Sequence, residues 1–266
     1  MQGSDPFSDK TRINPFQAPK ARVEDPYSEG PDQLLDEPTA VEAGRGFSWF
    51  SEGYGLFKQA PGIWVAAVLV WFLINLVLGF IPLASNLINP VLMAGLIFGC
   101  HSQAKGGAFA LEHLFEGFRR NFGPLVLVGV LTLVGALLIV GFLFVMMLAT
   151  GMGSALMEGQ SAGSQDGMVG IVGLLAFLIV LALSIPLTMA IWFAPTLVIL
   201  HGLPAFQAMT LSFRGCLRNL LPFLAYGIAG LGLAILATIP LGLGWLVLLP
   251  VIFCSTYAAY REIFLE

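Results

Sequence analysis

Four groups of side chains in this sequence have the types and spacing to do chemistry. Leu111-Glu112-His113 with Glu116 sets an imidazole and two carboxylates at helical spacing, a donor set that a divalent metal takes. The ordinary reading is a solvated face, with Glu116 placed to pair with Arg120 four residues on. His101 and His201 close apolar runs, where an imidazole favours the negative end of a helix dipole. Asn75 is the deepest strong amide in an apolar run. Its default partner is a neighbouring helix, and its alternative is a substrate. Lys58, Arg119, Arg120, Arg214 and Arg218 flank aromatic stretches. Each suits an anionic lipid headgroup, at about 1 kcal/mol apiece, although bases in such places also set topology. The sequence contains no His-Glu-x-x-His, no Gly-x-Ser-x-Gly turn and no phosphate loop. The expectation is a non-enzymatic protein without metal or cofactor.

The elements that position these residues follow from composition. The chain has 266 residues, 57% hydrophobic and only 11% charged, with mean hydropathy +0.86. A soluble chain carries about 25% charged residues. Nothing ionises between Lys58 and Lys105 except His101, nor between Asp166 and Arg214 except His201. Apolar runs of ~20 residues cross a bilayer as helices, so a polytopic membrane protein is predicted. A soluble enzyme and a nucleic-acid binder are both excluded. Six crossings are expected near 63–81, 83–101, 124–150, 169–200, 221–239 and 241–260. The second is the weakest, because Ser85, Asn86, Asn89 and Pro90 interrupt it, and a re-entrant hairpin is its alternative. The fourth is long enough to kink at Pro186 or Pro195. No acidic or basic residue falls inside a crossing, which argues against an ion-coupled pump.

All twelve Lys and Arg fall in the first 58 residues, in 102–123, in 202–220 or at Arg261. Six crossings place those segments on one side, and cytoplasmic loops accumulate bases. Both termini are therefore expected in the cytoplasm. The polar, proline-rich start predicts no cleaved leader, so the first crossing would direct insertion. Cys100, Cys216 and Cys254 lie in or beside apolar segments without metal or disulfide spacing, and read as buried thiols.

Residues 1–42 hold six prolines and little apolar periodicity, so they read as a disordered tail. Residues 43–266 form the membrane domain. Phe47, Phe50, Tyr54 and Phe57 mark one face of an amphipathic helix at 47–60. Similar stretches at 111–123 and 206–220 (Phe206, Met209, Phe213, Leu217) open two further units. The units span about 45–101, 109–201 and 205–262. Each has an entry proline (Pro61, Pro124, Pro222) and an Ile-Pro-Leu expected to mark its hairpin, at 81–83, 185–187 and 239–241. The predicted fold is all-α: three helical hairpins, each preceded by an interfacial helix. Gly95/Gly99 and Ala225/Ala229 permit close helix approach within the chain or in an oligomer.

Ala43-Gly44-Arg45-Gly46-Phe47, then Trp49, Gly53, Leu56-Phe57 and Pro61, resembles the opening of a proteobacterial family of six-helix inner-membrane proteins. The run Ile191-Trp192-Phe193-Ala194-Pro195-Thr196-Leu197-Val198, with Ala205, Ala208, Ser212, Asn219 and Pro222-Phe223, is similar to the YciC-like group. That group is related to membrane domains found with glycerophosphodiester phosphodiesterases. The likeness spans about 43–260 and implies a bacterial inner-membrane location, with a lipid connection but no catalytic residues. Asn14, Pro15, Phe16 and Pro19, within 12–25, also resemble a short Asn-Pro-aromatic-x-x-Pro element from the cytoplasmic tails of bacterial membrane proteins. Prolines limit the entropy lost on docking, so a cytoplasmic protein partner is expected there. The leading expectation is a scaffold or accessory protein. The alternative is a permease or lipid-handling protein with a polar path near Asn75, Thr132, Thr188 and Thr196.

Overall fold

A computed structural model describes residues 33–81, 83–149 and 166–265. The helices run α1 Arg45–Phe57, α2 Pro61–Leu78, α3 Ala84–Ala104, α4 Glu116–Arg119, α5 Phe122–Ala149, α6 Asp166–Trp192, α7 Ala194–His201, α8 Ala205–Arg218, α9 Leu220–Thr238 and α10 Trp245–Phe264. A 3-10 turn over Leu111–Phe115 precedes α4. Among the described residues, six stretches are long and apolar enough to span a membrane: Pro61–Leu78, Ala84–Ala104, Phe122–Met146, Gly173–His201, Leu220–Thr238 and Trp245–Phe264. The fold is that of an all-α polytopic membrane protein.

Helices α3 and α10 are the most enclosed of the six. They are also the least apolar, carrying Ser102, Gln103, Ser255 and Thr256 into the interior. The cause is the solvent. A helix facing lipid must be apolar all round, whereas one enclosed by protein can place polar groups against partners. The polar residues that weaken the second segment in sequence therefore mark an inner helix. It is continuous over 21 residues with Pro90 inside, not a re-entrant hairpin. Gly95 and Gly99 serve packing within the chain. A Cβ on Gly95 would lie 2.3 Å from the Leu114 carbonyl oxygen, and one on Gly99 would lie 2.2 Å from the Phe109 ring.

The long fourth crossing breaks at Phe193, two residues before Pro195, while Pro186 stays inside α6. Ser212 of α8 bridges the break. Its hydroxyl accepts the Phe193 N–H at 3.0 Å and donates to the Met189 carbonyl at 2.7 Å. Ile185-Pro186-Leu187 is thus a helical segment, not a hairpin mark. The other two Ile-Pro-Leu runs do border turns, and Leu83 (φ 68°) and Leu241 (φ 54°) end them in the left-handed region. Pro82 and residues 150–165 lie outside the described residues.

The interfacial stretches differ from expectation in their faces. Helix α1 buries Gly46, Trp49, Phe50, Gly53 and Phe57, while Phe47 and Tyr54 are exposed. The aromatic stripe is split because the two glycines let α1 approach α9 and α10 at backbone distance. Trp49 fills the space between, fully buried and tilted over Phe223 and Tyr226. In α8 the buried residues are Ala205, Ala208, Ser212, Gly215 and Cys216, and Phe206 and Leu217 point outward. The expected helix at 111–123 is only the 3-10 turn and the single turn of α4. There Phe118 stacks on Phe122 and lies tilted against Phe115 at the surface.

Residues 33–42 correct the tail boundary. They run along the end of α10 as a strap, and Leu34 bridges Leu265 in antiparallel register. The Leu35 and Thr39 N–H groups donate to the Phe264 and Ile263 carbonyls at 2.9 and 2.8 Å. The last carbonyls of any helix lack intrahelical partners, and the strap supplies two of the missing donors. The same pairing places both ends of the described chain on one side of the bundle.

Candidate functional site

At the end that bears Leu34 and Leu265, the short segments hold an ion network. Arg45 donates from Nε to Glu262 at 2.6 Å and from Nη2 to Glu52 at 2.8 Å. Glu262 also accepts the Trp49 indole N–H at 2.6 Å, and Arg261 reaches Glu52 at 3.4 Å. The hydrogen bond that Arg45 donates to Glu262, with both nearby carboxylates, raises the Arg45 pKa further above its ordinary value. A hollow of about 770 Å³ adjoins this network, lined also by Gln59 and Gln103. Its charges are largely spent on one another, which describes a tie between α1 and α10 better than a site awaiting a ligand.

The five expected lipid-binding bases do not converge. Arg119 and Arg120 both pair with Glu116, at 3.3 and 2.9 Å, and Arg120 also lies over the Phe98 ring. Arg218 pairs with Glu37 of the strap at 3.4 Å. Lys58 sits over Tyr54 at 5.0 Å. Arg214 lines a hollow of about 470 Å³ between the strap and α8. His101 and His201 each meet a tyrosine of α10, Tyr257 at 3.1 Å and Tyr260 respectively. No metal-ligating cluster occurs among the described residues.

His113 is buried between Phe98 and Phe109, and its Nδ1 accepts the Ala110 N–H at 3.1 Å. Burial holds its pKa below the ordinary 6.5, against the opposing pull of Glu116 and Glu112. Below pH 6.5 the unfolded chain then binds more protons than the folded one, so stability falls with pH. The melting temperature of the purified protein is expected to drop between about pH 7 and about pH 5. That slope should flatten in His113→Gln, and an unchanged slope would remove His113 as its source.

Tertiary packing brings together what spacing leaves apart. The Cys100 and Cys254 sulfurs are 3.3 Å apart, both fully buried. The third thiol, Cys216, is pushed up to about 12 by burial. Asn219, fully buried at the end of α8, accepts the Val41 N–H at 2.8 Å. It donates to the carbonyls of Thr39 at 2.8 Å and Gly215 at 2.9 Å. Its place before a proline is visible in the sequence; the strap it holds is not.

Between α3, α5, α6, α7 and α10 lies a cavity of about 380 Å³ that is open to the outside at Asn86 and Thr188. Ser85, Asn86 and Asn89 line it with Thr132, Thr188 and Thr256, beside Met93, Trp192 and Phe253. Two of the four residues of the expected polar path, Thr132 and Thr188, therefore share one space. The other two do not. Asn75 donates to the Trp71 carbonyl of its own helix at 2.9 Å, and Thr196 is 1% exposed in the core. The docking residues Asn14, Pro15, Phe16 and Pro19 lie outside the described residues.

Fold and site together define a multi-pass α-helical membrane protein with a strapped terminal face and a small intramembrane cavity. The chain is 30% identical over 250 residues to a probable inner membrane protein of Burkholderia thailandensis, covering 84% of this chain and 92% of that relative. It belongs to that family of bacterial inner-membrane proteins. No family model matches it, and no solved structure does.

Proposed function

We propose that this protein is a non-enzymatic scaffold or accessory protein of the inner membrane that recruits a cytoplasmic partner through its N-terminal tail. The observation that carries this is the strap. Five hydrogen-bonded or bridged contacts of residues 34–41 with Ile263, Phe264, Leu265 and Asn219 would be idle in a mere spacer. They hold the root of residues 1–32 beside α8, at a fixed place on the membrane surface. Both termini face the cytoplasm in this reading, supported by the shared end of Leu34 and Leu265 and by the bases gathered there. The similarity of 191–223 to the YciC-like group supports a relation to that group, and with it a link to lipid metabolism.

In-cell photocrosslinking with mass spectrometry, comparing the full chain with one lacking residues 12–26, is the test. A cytoplasmic protein captured only by the full chain is expected. Identical captures would make the tail a spacer and end this reading.

The intramembrane cavity favours a second reading, a lipid-handling protein with a groove between its helices. A permease is less well supported, because Asn75 and Thr196 do not join Thr132 and Thr188 in a path.

A further inference from the structure

The cavity between the inner helices has an unusual hydrogen-bonding balance. The Asn89 side-chain oxygen is buried on its wall without a hydrogen-bond partner. The three threonine hydroxyls have already committed their protons. Thr132 donates to Val128 at 2.8 Å, Thr188 to Ser184 at 2.9 Å and Thr256 to Ile252 at 2.9 Å, each within its own helix. A hydroxyl that donates keeps only accepting capacity. The Asn89 oxygen is thus the one lining atom that is buried and unpaired among the described residues, and a buried acceptor left unpaired carries the full cost of its lost hydration.

No ionisable side chain lines the cavity. A phosphate headgroup would bring charge without a counter-charge. All the lining residues belong to membrane-spanning segments. The rest of the wall is apolar and aromatic, with a few placed polar groups, the usual make-up of a small-ligand site.

We propose that this cavity binds the free hydroxyl of an uncharged membrane lipid of the diacylglycerol type, with Asn89 as its principal acceptor. The hydroxyl donates to Asn89, the threonine oxygens accept from or contact the glycerol unit, and the acyl chains leave along the apolar wall past Thr188. This inference rests on the groove reading above and names its ligand.

The test uses the full chain in phosphatidylcholine nanodiscs with three photoreactive lipids carrying the same diazirine acyl chain. These are a diacylglycerol, its acetyl ester and a phosphatidic acid. Peptides containing Met93 and Trp192 are expected to take up diacylglycerol about fivefold more than its ester, the effect of one hydrogen bond. Asn89→Leu should abolish that preference without lowering the melting temperature, because it removes an unpaired buried oxygen. Should that variant fail to fold, Thr132→Val keeps the shape, loses one acceptor and should weaken the preference. Equal labelling by alcohol and ester, or a preference for phosphatidic acid, overturns the hydroxyl assignment and leaves the groove reading standing. No labelling of the cavity by any probe overturns both.

Discussion

Replacing Asn219 with leucine is expected to release residues 33–41 from the bundle. The side chain is 0% exposed and serves two segments at once, accepting from Val41 and donating to Thr39 and Gly215. Leucine has similar bulk and none of these bonds. The Val41 N–H and the Thr39 carbonyl would each lose a partly buried hydrogen bond, at roughly 1–3 kcal/mol for each group left unpaired. The chain avoids that cost by letting the strap lift into water. The Leu35 and Thr39 bonds to the end of α10, the bridge at Leu34 and the exposed Arg218–Glu37 pair are then what still ties it down. A loss of about 3 kcal/mol corresponds to roughly a hundredfold faster amide exchange at Leu35, Thr39 and Val41. Exchange at the core of α10 should not change. Unaltered exchange in the strap would mean that Asn219 does not hold it, and the proposed fixed root of the tail would lose its support.

Two glycines of α1 should respond to alanine with opposite signs. At Gly53 a Cβ would lie 2.6 Å from the Ser255 nitrogen and 2.8 Å from the Val251 carbonyl oxygen. Both are backbone atoms of α10, which cannot turn aside as a side chain can. Gly53→Ala is expected to push α1 off α10 and to cost about 3 kcal/mol, the upper range for overpacking. The melting temperature in detergent should fall by roughly 5–10 °C. At Gly55, two residues along the same helix, nothing lies within 4 Å of the added atom. Gly55→Ala gains only the helix propensity of alanine, about 1 kcal/mol, and should raise the melting temperature. If both substitutions shifted it the same way, close packing of α1 against α10 would not be the cause.

These two sites also show where sequence reasoning stops. Gly46 and Gly53 lie seven residues apart on the face that packs, beside Trp49, yet the periodic signal in that stretch is the stripe Phe47, Phe50, Tyr54 and Phe57. A hydrophobic period reports which face avoids water. It does not report which apolar face meets protein and which meets lipid. The strap escaped for a related reason: Leu34, Leu35 and Val41 are too few to predict burial, and the Leu35 and Thr39 N–H groups fit carbonyls more than 200 residues away.

What the sequence by itself determined is the number and place of the crossings, the all-α class and the segments that gather the bases. Each is a one-dimensional quantity. The bilayer has a fixed thickness, so a run of about 20 residues without charge is sufficient evidence for a span. Tertiary structure alone decided that α3 and α10 are inner helices and that Cys100 lies against Cys254. It alone brought Asn89, Thr132 and Thr188 around one cavity and tied residues 33–41 to Asn219. The physical reason is common to all of these. In water, hydrophobicity separates inside from outside; within a bilayer the surroundings are as apolar as the core. Helix contacts there depend on small residues, shape and buried hydrogen bonds, and those are properties of pairs of segments rather than of one.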